Sequence, residues 1–235
     1  MESRHLLSAG PDRDGLDEVP RDRPAADELA ALRDRIARLA PLGREAATRR
    51  APGRRGDDDL NPGLIPPARE AVPAAVLVPL LRRPEGASVL LTRRTAHLHD
   101  HAGQICFPGG RMEPGDTGPV DTALREAAEE VGLERAAVDL AGQLDTYETR
   151  TGYRVTPIVG LVTPPATLRP EQFEVAEIFE VPLRFLQTPG SRQMHSHDDR
   201  GRTRHFWAFP YGAYYIWGAT AGMLVNLIDL LETRD

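Results

Sequence analysis

Three glutamates, Glu126, Glu129 and Glu130, fall within five residues of a stretch that reads as a helix. At ~100° per residue they gather on one side of it, while Leu124, Ala127, Ala128 and Val131 share the other. Carboxylates so close repel one another unless something positive lies between them. Hard divalent cations such as magnesium or manganese take oxygen ligands, and carboxylates at this spacing suit them. An acidic triplet alone is also what a solvated helix face looks like, so the neighbours decide. Upstream, Gly109 and Gly110 precede a polar loop running through Asp116. Glycines there allow close approach of a ligand to the main chain. An ordinary strand-to-helix turn is the competing reading.

The helix that must hold these carboxylates is expected over residues 119–131. Pro119 suits its first position and Gly132 the position just past its end. Around it, from residue 71 onward, short apolar runs are punctuated by turns. They predict strands over 74–81, 88–92, 104–107, 140–146, 154–161, 176–181 and 205–209. A short helix is expected after Pro182 and a longer one over 218–232. Strands interleaved with few helices argue for an α/β domain with a mixed sheet and helices on both faces. Residues 1–24 mix Arg, Asp, Gly and Pro without periodicity and read as a mobile tail. Leu29, Leu32, Ile36 and Leu39 predict a helix over 27–39. Residues 43–70 read as a linker or wrapping arm. The expected division is an N-terminal extension over 1–70, partly disordered with one helix, and a domain over 71–235. The helix of the extension could pack on that domain or mediate contact in a homodimer; the sequence does not choose.

A chain of 235 residues can hold one such domain with an appendage. A net charge of -6 argues against a general nucleic-acid-binding surface. The single cysteine, Cys106, excludes intrachain disulfides and a multi-cysteine zinc site, and fits a reducing, cytoplasmic setting. No early apolar run follows a basic start, so no secretory signal is read. The apolar stretch 219–231 is too short to span a bilayer and carries Asn226 and Asp229, so no membrane partner is expected. All 29 basic residues are arginine; there is no lysine. A Walker-type phosphate loop, a kinase-type ATP lysine and a Schiff-base lysine are thereby excluded. Any phosphate must be handled by arginine, backbone amides and metal.

Taken together, residues 110–133 resemble the Nudix box. Arg125, Glu126, Ala127, Glu129, Glu130, Gly132 and Leu133 fill the second half of that pattern in order. Between Gly110 and Arg125 the chain is one residue longer than the usual box. Asp116 therefore matches the first acidic position counted from the glycine but lies one residue too far from Arg125, and no role is assigned to it. Leu90-Leu91-Thr92-Arg93-Arg94, Gly103 and Phe107-Pro108-Gly109-Gly110 resemble the signature of the coenzyme A pyrophosphatase subfamily. Thr95 stands where a smaller Ser or Ala is usual, and His99 where Arg is usual. Residues 177–183 and 216–221 also look like this subfamily, and the whole resemblance covers 72–231.

The resemblance implies a Nudix-like α/β/α sandwich. It implies divalent-metal-dependent hydrolysis of coenzyme A, or a derivative, to adenosine 3′,5′-bisphosphate and 4′-phosphopantetheine. Glu126 and Glu130 would be the main ligands of Mg2+ or Mn2+, with Glu129 joining or bridging. Arg125 would orient the carboxylates and Gly110 bring its backbone to the metal. Arg93, Arg94, His99, Gly103, Phe107, Gly109 and Gly110 would face the substrate. The general base stays open among these glutamates and Glu148, Glu171 and Glu174. Arg93, Arg94, Arg111 and Arg154 are candidates for phosphate contact; an exposed, solubilising arginine is the competing reading for each. Two other functions compete: the same chemistry on ADP-ribose or a dinucleotide, and a non-catalytic Nudix-like nucleotide sensor.

His97, His99 and His101 alternate, but without further ligands the expectation is substrate contact or loop exposure, not a transition-metal site. His195 and His197 lie in the polar run 191–204, which reads as a flexible hairpin tip, with a lid as the alternative. Cys106 reads as a small buried strand residue; most of the aromatics of 211–217 read as core, with stacking on a base as the competing reading.

Overall fold

The computed structural model describes residues 25–43, 54–63, 71–97, 102–163, 167–199 and 201–233. A first helix, α1 (Ala25–Leu39), precedes a short strand, β1 (Arg54–Gly56). Then follow β2 (Val72–Arg83), β3 (Gly86–Arg94), β4 (Ile105–Cys106) and β5 (Gly109–Arg111). Helix α2 (Pro119–Val131) leads through a 3-10 turn to β6 (Val138–Gln143), β7 (Thr146–Glu148), β8 (Tyr153–Val162) and β9 (Val175–Pro182). A single turn of helix, α3 (Leu183–Leu186), comes next. Strands β10 (Gln193–Asp199), β11 (Arg202–Tyr211) and β12 (Tyr214–Trp217) and helix α4 (Gly218–Glu232) complete the described chain.

Nine strands form one mixed sheet, in the order β1-β7-β8-β2-β3-β4, with β5 pairing β2, β6 pairing β8 and β9 pairing β3. The long central pair, β2 with β8, is parallel, while β2 with β3 and β3 with β9 are antiparallel. Alternation along a strand sends successive side chains to opposite faces. In β2, Ala74, Val78 and Leu80 join one apolar cluster, and Ala75, Leu77 and Leu81 the other. The first cluster is closed by α1 and α4, through Leu29, Ile36, Leu224 and Ile228. The second is closed by α2, through Ala123, Leu124, Ala127 and Val131. The fold is therefore an α/β/α sandwich with a mixed sheet. A second, three-stranded antiparallel sheet, β10-β11-β12, flanks it.

Helix α1 packs on the main body: Ile36 is fully buried in the first cluster. The approach is close enough to need a glycine. A Cβ on Gly142 would lie 2.2 Å from the Ala40 carbonyl oxygen, beside the bond that Gln143 N–H donates to that same carbonyl at 2.8 Å. Strand β1 runs parallel to β7 and extends the sheet. Beyond it, Asn61 Oδ1 accepts from His205 N–H, and its Nδ2 donates to the His205 carbonyl, both at 2.8 Å. An arm that reads as linker is thus bonded to both sheets.

The expected strand over 140–146 is divided between β6 and β7. Leu144 N–H donates to the Pro157 carbonyl and Asp145 N–H to Asn226 Oδ1, and those bonds pull the chain out of ladder register. The polar run 191–204 also differs from a loose tip, since most of it is paired in β10 and β11, including His195 against Phe206 and His197 against Arg204. Among the described residues no helix is long and apolar enough to cross a membrane.

Candidate active site

Helix α2 begins with proline in its first turn and ends at Gly132 in the left-handed conformation, φ 67°. The Gly132 and Leu133 N–H groups return to the carbonyls of Ala128 and Ala127, closing the helix C-terminus. The buried side is rotated from the expected one. Ala123 is buried and Ala128 is exposed, and Glu130 enters the buried side next to Val131. That rotation turns Glu126 and Glu130 toward β5 instead of bulk water.

Strand β5 is built for them. Gly109 N–H donates to Glu130 Oε2 at 3.0 Å. A Cβ on Gly110 would lie 2.4 Å from Glu126 Oε1, so the missing side chain is what admits that carboxylate. A Cβ on Gly109 would meet the Ala75 carbonyl oxygen at 2.5 Å, which fixes glycine there also. Glu130 is 5% exposed, and burial pushes its pKa up to about 7 against the Gly109 hydrogen bond, with Glu126 adding repulsion. Burial also raises Glu126, while Arg125 opposes the shift. Glu129, 59% exposed, stands at the rim.

Arg125 links the group. Its Nη1 lies 3.0 Å from Glu126 Oε1 and 3.1 Å from Glu129 Oε2. Its Nε donates to Asp116 Oδ1 at 2.9 Å and its Nη2 to Asp116 Oδ2 at 3.1 Å, a two-point grip that fixes the guanidinium plane. Asp116 also accepts from Thr122 Oγ1 and from Glu113 N–H, both at 2.8 Å. The Arg125 guanidinium, with those bonds, holds the Asp116 carboxyl well below the usual carboxylate range. Sequence spacing set Asp116 aside because it lies one residue too far from Arg125. The loop absorbs the extra residue before the helix starts and still delivers the carboxylate.

On the opposite side stand Arg94 and Glu174. Arg94 lies at a register irregularity of β3. Its Nη1 is 3.6 Å from Glu130 Oε1 and its Nη2 3.8 Å from Glu174 Oε2, while its buried Nε has no hydrogen-bond partner. Such a guanidinium keeps donors for an anion. Among the three outlying carboxylates, the charge of Glu174 acts on both Glu126 and Glu130. Glu171 accepts from the N–H groups of Phe173 and Glu174 and so shapes the turn. Glu148 pairs with Arg154, its neighbour across the β7–β8 ladder.

Other expected residues sit further out. Arg93 is exposed and pairs with Glu177 at 2.8 Å, and Tyr214 Oη donates to the same carboxylate at 2.5 Å. The Phe107 side chain is 1% exposed within the α1/α4 cluster, so it packs and does not face the glutamates. Gly103 has φ 70° in the turn before β4, with nothing near the position of its missing side chain. His97 is exposed; His99 and His101 lie outside the described residues. Cys106 is half-buried on β4, with Sγ 3.3 Å from Thr92 Oγ1, and burial pushes its thiol up to about 11. Arg111 contributes its carbonyl to Arg125 Nη2. Tyr214 stacks on Phe179 at 3.8 Å as core, whereas Tyr215 and Trp217 face outward.

The donor set is all carboxylate oxygen, two of the three groups carry burial-raised pKa values, and the backbone closes around them without adding bulk. That chemistry fits a hard divalent ion, which would stabilise both charges at once. Among the described residues no three His, Cys, Asp or Glu side chains already converge as a metal cage; Glu126 and Glu129 both reach for Arg125 instead.

The NUDIX domain model matches residues 71–210, and the chain belongs to that family. It is 42% identical over 156 residues to the uncharacterized Nudix hydrolase NudL of Escherichia coli O6:H1 (strain CFT073), spanning 66% of this chain and 80% of that protein. The same figures hold for NudL of Escherichia coli strain K12. Among solved structures, a MutT/nudix family protein from Enterococcus faecalis aligns over 85% of this chain and 72% of its own, with 17% identity and a TM-score of 0.44. The chain is a Nudix hydrolase, an enzyme class that uses divalent ions to hydrolyse nucleoside diphosphate derivatives.

Proposed function

We propose that this enzyme hydrolyses the diphosphate linkage of coenzyme A or a derivative, giving adenosine 3′,5′-bisphosphate and 4′-phosphopantetheine. The observation that carries this reading is how the 90–110 signature meets the glutamate helix. Arg94, from its first half, faces Glu130, and Gly109 and Gly110, from its second, cradle Glu130 and Glu126. A stretch that resembles the coenzyme A subfamily therefore forms the wall opposite the carboxylates.

Glu126 and Glu130 would hold Mg2+ or Mn2+, with Glu129 joining from the rim. Bound there, the ion would lower the pKa of a water and offset charge on the diphosphate. Arg125, gripped by Asp116, orients Glu126 and Glu129 and works against the burial that disfavours the charge of Glu126. Arg94 offers its unspent donors to the phosphate oxygens. Water attacks phosphorus, the bridging P–O bond breaks, and the proton of that water passes to a Glu174 carboxylate oxygen. No lysine takes part, since the chain has none.

Incubating the full chain with coenzyme A and Mg2+ or Mn2+, followed by product identification, should yield the two phosphorylated products. ADP-ribose and a dinucleoside polyphosphate serve as competitors. Turnover of either competitor with no cleavage of coenzyme A under both metals would defeat the substrate assignment.

A further inference from the structure

Phe173 is 64% exposed, the most exposed of the large apolar side chains described. Single exposed apolar residues are common and by themselves mean little. What separates this one is how firmly it is held and where. Its N–H donates to the Glu171 carboxylate at 3.1 Å, and its carbonyl accepts from Thr95 Oγ1 at 2.7 Å. Glu171 N–H donates to the Glu130 carbonyl at 2.8 Å, and Thr95 N–H to the Glu174 carbonyl at 2.9 Å. The turn is thus bonded on one side to the backbone of the central glutamate and on the other to the end of β3. Thr95 is the residue at which the sequence departs from the smaller side chain of the subfamily pattern, and its hydroxyl serves the turn directly. The exposed His97 ring lies 4.8 Å from the Phe173 ring at 60°, so two flat rings form an open corner. Next along the chain is Glu174, 3.8 Å from Arg94, which reaches Glu130.

We propose that Phe173 and His97 form the subsite that stacks the nucleobase of the substrate. This rests on the reading of the carboxylate site as one that cleaves nucleoside diphosphate derivatives. The face of an aromatic ring is apolar and polarisable, and a base laid on it gains stacking contact without hydrogen-bond readout. A rigid turn delivers that contact without ordering a loop at each binding event. The placement suits a substrate whose diphosphate lies between Arg94 and the glutamates while its base turns outward onto Phe173. Thr95 is a positioning residue here: it acts through the Phe173 carbonyl.

The experiment compares wild type, Phe173→Ala and Phe173→Trp on two readouts. The first is kcat/KM on base-bearing diphosphates (coenzyme A and ADP-ribose) relative to a base-free diphosphate diester, diribose 5′-diphosphate. The second is binding of 1,N6-etheno-ADP, followed by fluorescence anisotropy and independent of turnover. Phe173→Ala should lower the base-bearing to base-free ratio about tenfold, mainly through KM, and weaken etheno-ADP by a similar factor, while Phe173→Trp restores both. An unchanged ratio together with unchanged etheno-ADP affinity overturns the subsite, whatever the wild type hydrolyses. Phe173-dependent etheno-ADP binding in an enzyme that cleaves none of the diphosphates would sustain the subsite and sink the reading of the carboxylates instead. Thermal melting checks the fold, which truncation of an exposed ring should leave intact.

Discussion

Burial of Glu130 works against its charge, and the cost has a sign that can be tested. Its pKa stands near 7, above the ordinary value of a free glutamate, so between those values the native state holds a proton that the unfolded chain has lost. The associated stability is complete below the unfolded pKa and disappears as pH rises through about 7. A shift of this size sets an upper bound of roughly 3 kcal/mol. Glu130→Gln keeps an acceptor for Gly109 N–H and removes the titration. In chelator, urea unfolding should show the variant gaining on wild type between pH 5 and pH 8. Catalysis with Mg2+ should fall by about two orders of magnitude or more, because the amide cannot supply the anionic ligand. An equal stability difference at both pH values would mean that Glu130 is not held as described. The glutamates themselves were legible because their grouping is local to one helix. Asp116 was not, since a position count treats the loop as a ruler. Its partners, Arg125 and Thr122, are found only once the loop has folded back on the helix. Glu174 was indistinguishable from Glu148 and Glu171 for a related reason: which outlying carboxylate faces α2 depends on the path of the chain into β9.

At the scale of elements, α2 and α4 match their expected bounds because caps and periodicity are local signals. Strands β1, β5 and β12 have three or four backbone pairs each and exist through their partners, so little in their own composition announces them. Strand β5 matters most, since Gly109 and Gly110 reach Glu130 and Glu126 only from a position paired to β2. Helix α1 shows the reverse case. Its periodicity was plain, but its partner was not, because an apolar stripe fits either a sheet of its own chain or a second copy. Ile36, fully buried against that sheet, gives the choice an energetic test. Ile36→Ala should cost about 3 kcal/mol of unfolding free energy, from lost burial and the cavity left behind. Urea denaturation measures it, and the folded fraction should keep its turnover because α1 lies on the face away from α2. A cost within the ordinary surface range, below about 0.5 kcal/mol, would show that α1 does not close the core.

For the whole molecule, the sheet separates two tasks. The α1 and α4 side supplies the larger apolar cluster, and the α2 side carries the charge that opposes folding. A ligand that binds only the native arrangement raises its stability by mass action. For a divalent ion held by Glu126 and Glu130, that gain is coupled to pH, since Glu130 must lose its proton first. Below about 7 the ion competes with that proton, so affinity should climb about tenfold per pH unit if one proton is displaced, and level off above. At a fixed Mn2+ concentration, the rise in melting temperature over the chelated protein should therefore be larger at pH 8 than at pH 6. Calorimetric titration at pH 6 in buffers of different ionisation enthalpy should register close to one proton released, and at pH 8 close to none. Glu130→Gln should flatten both dependences while leaving Glu126 to give whatever binding remains. Equal melting increments at the two pH values in the wild type would show that the ion is held elsewhere, or that Glu130 is already ionised when it arrives.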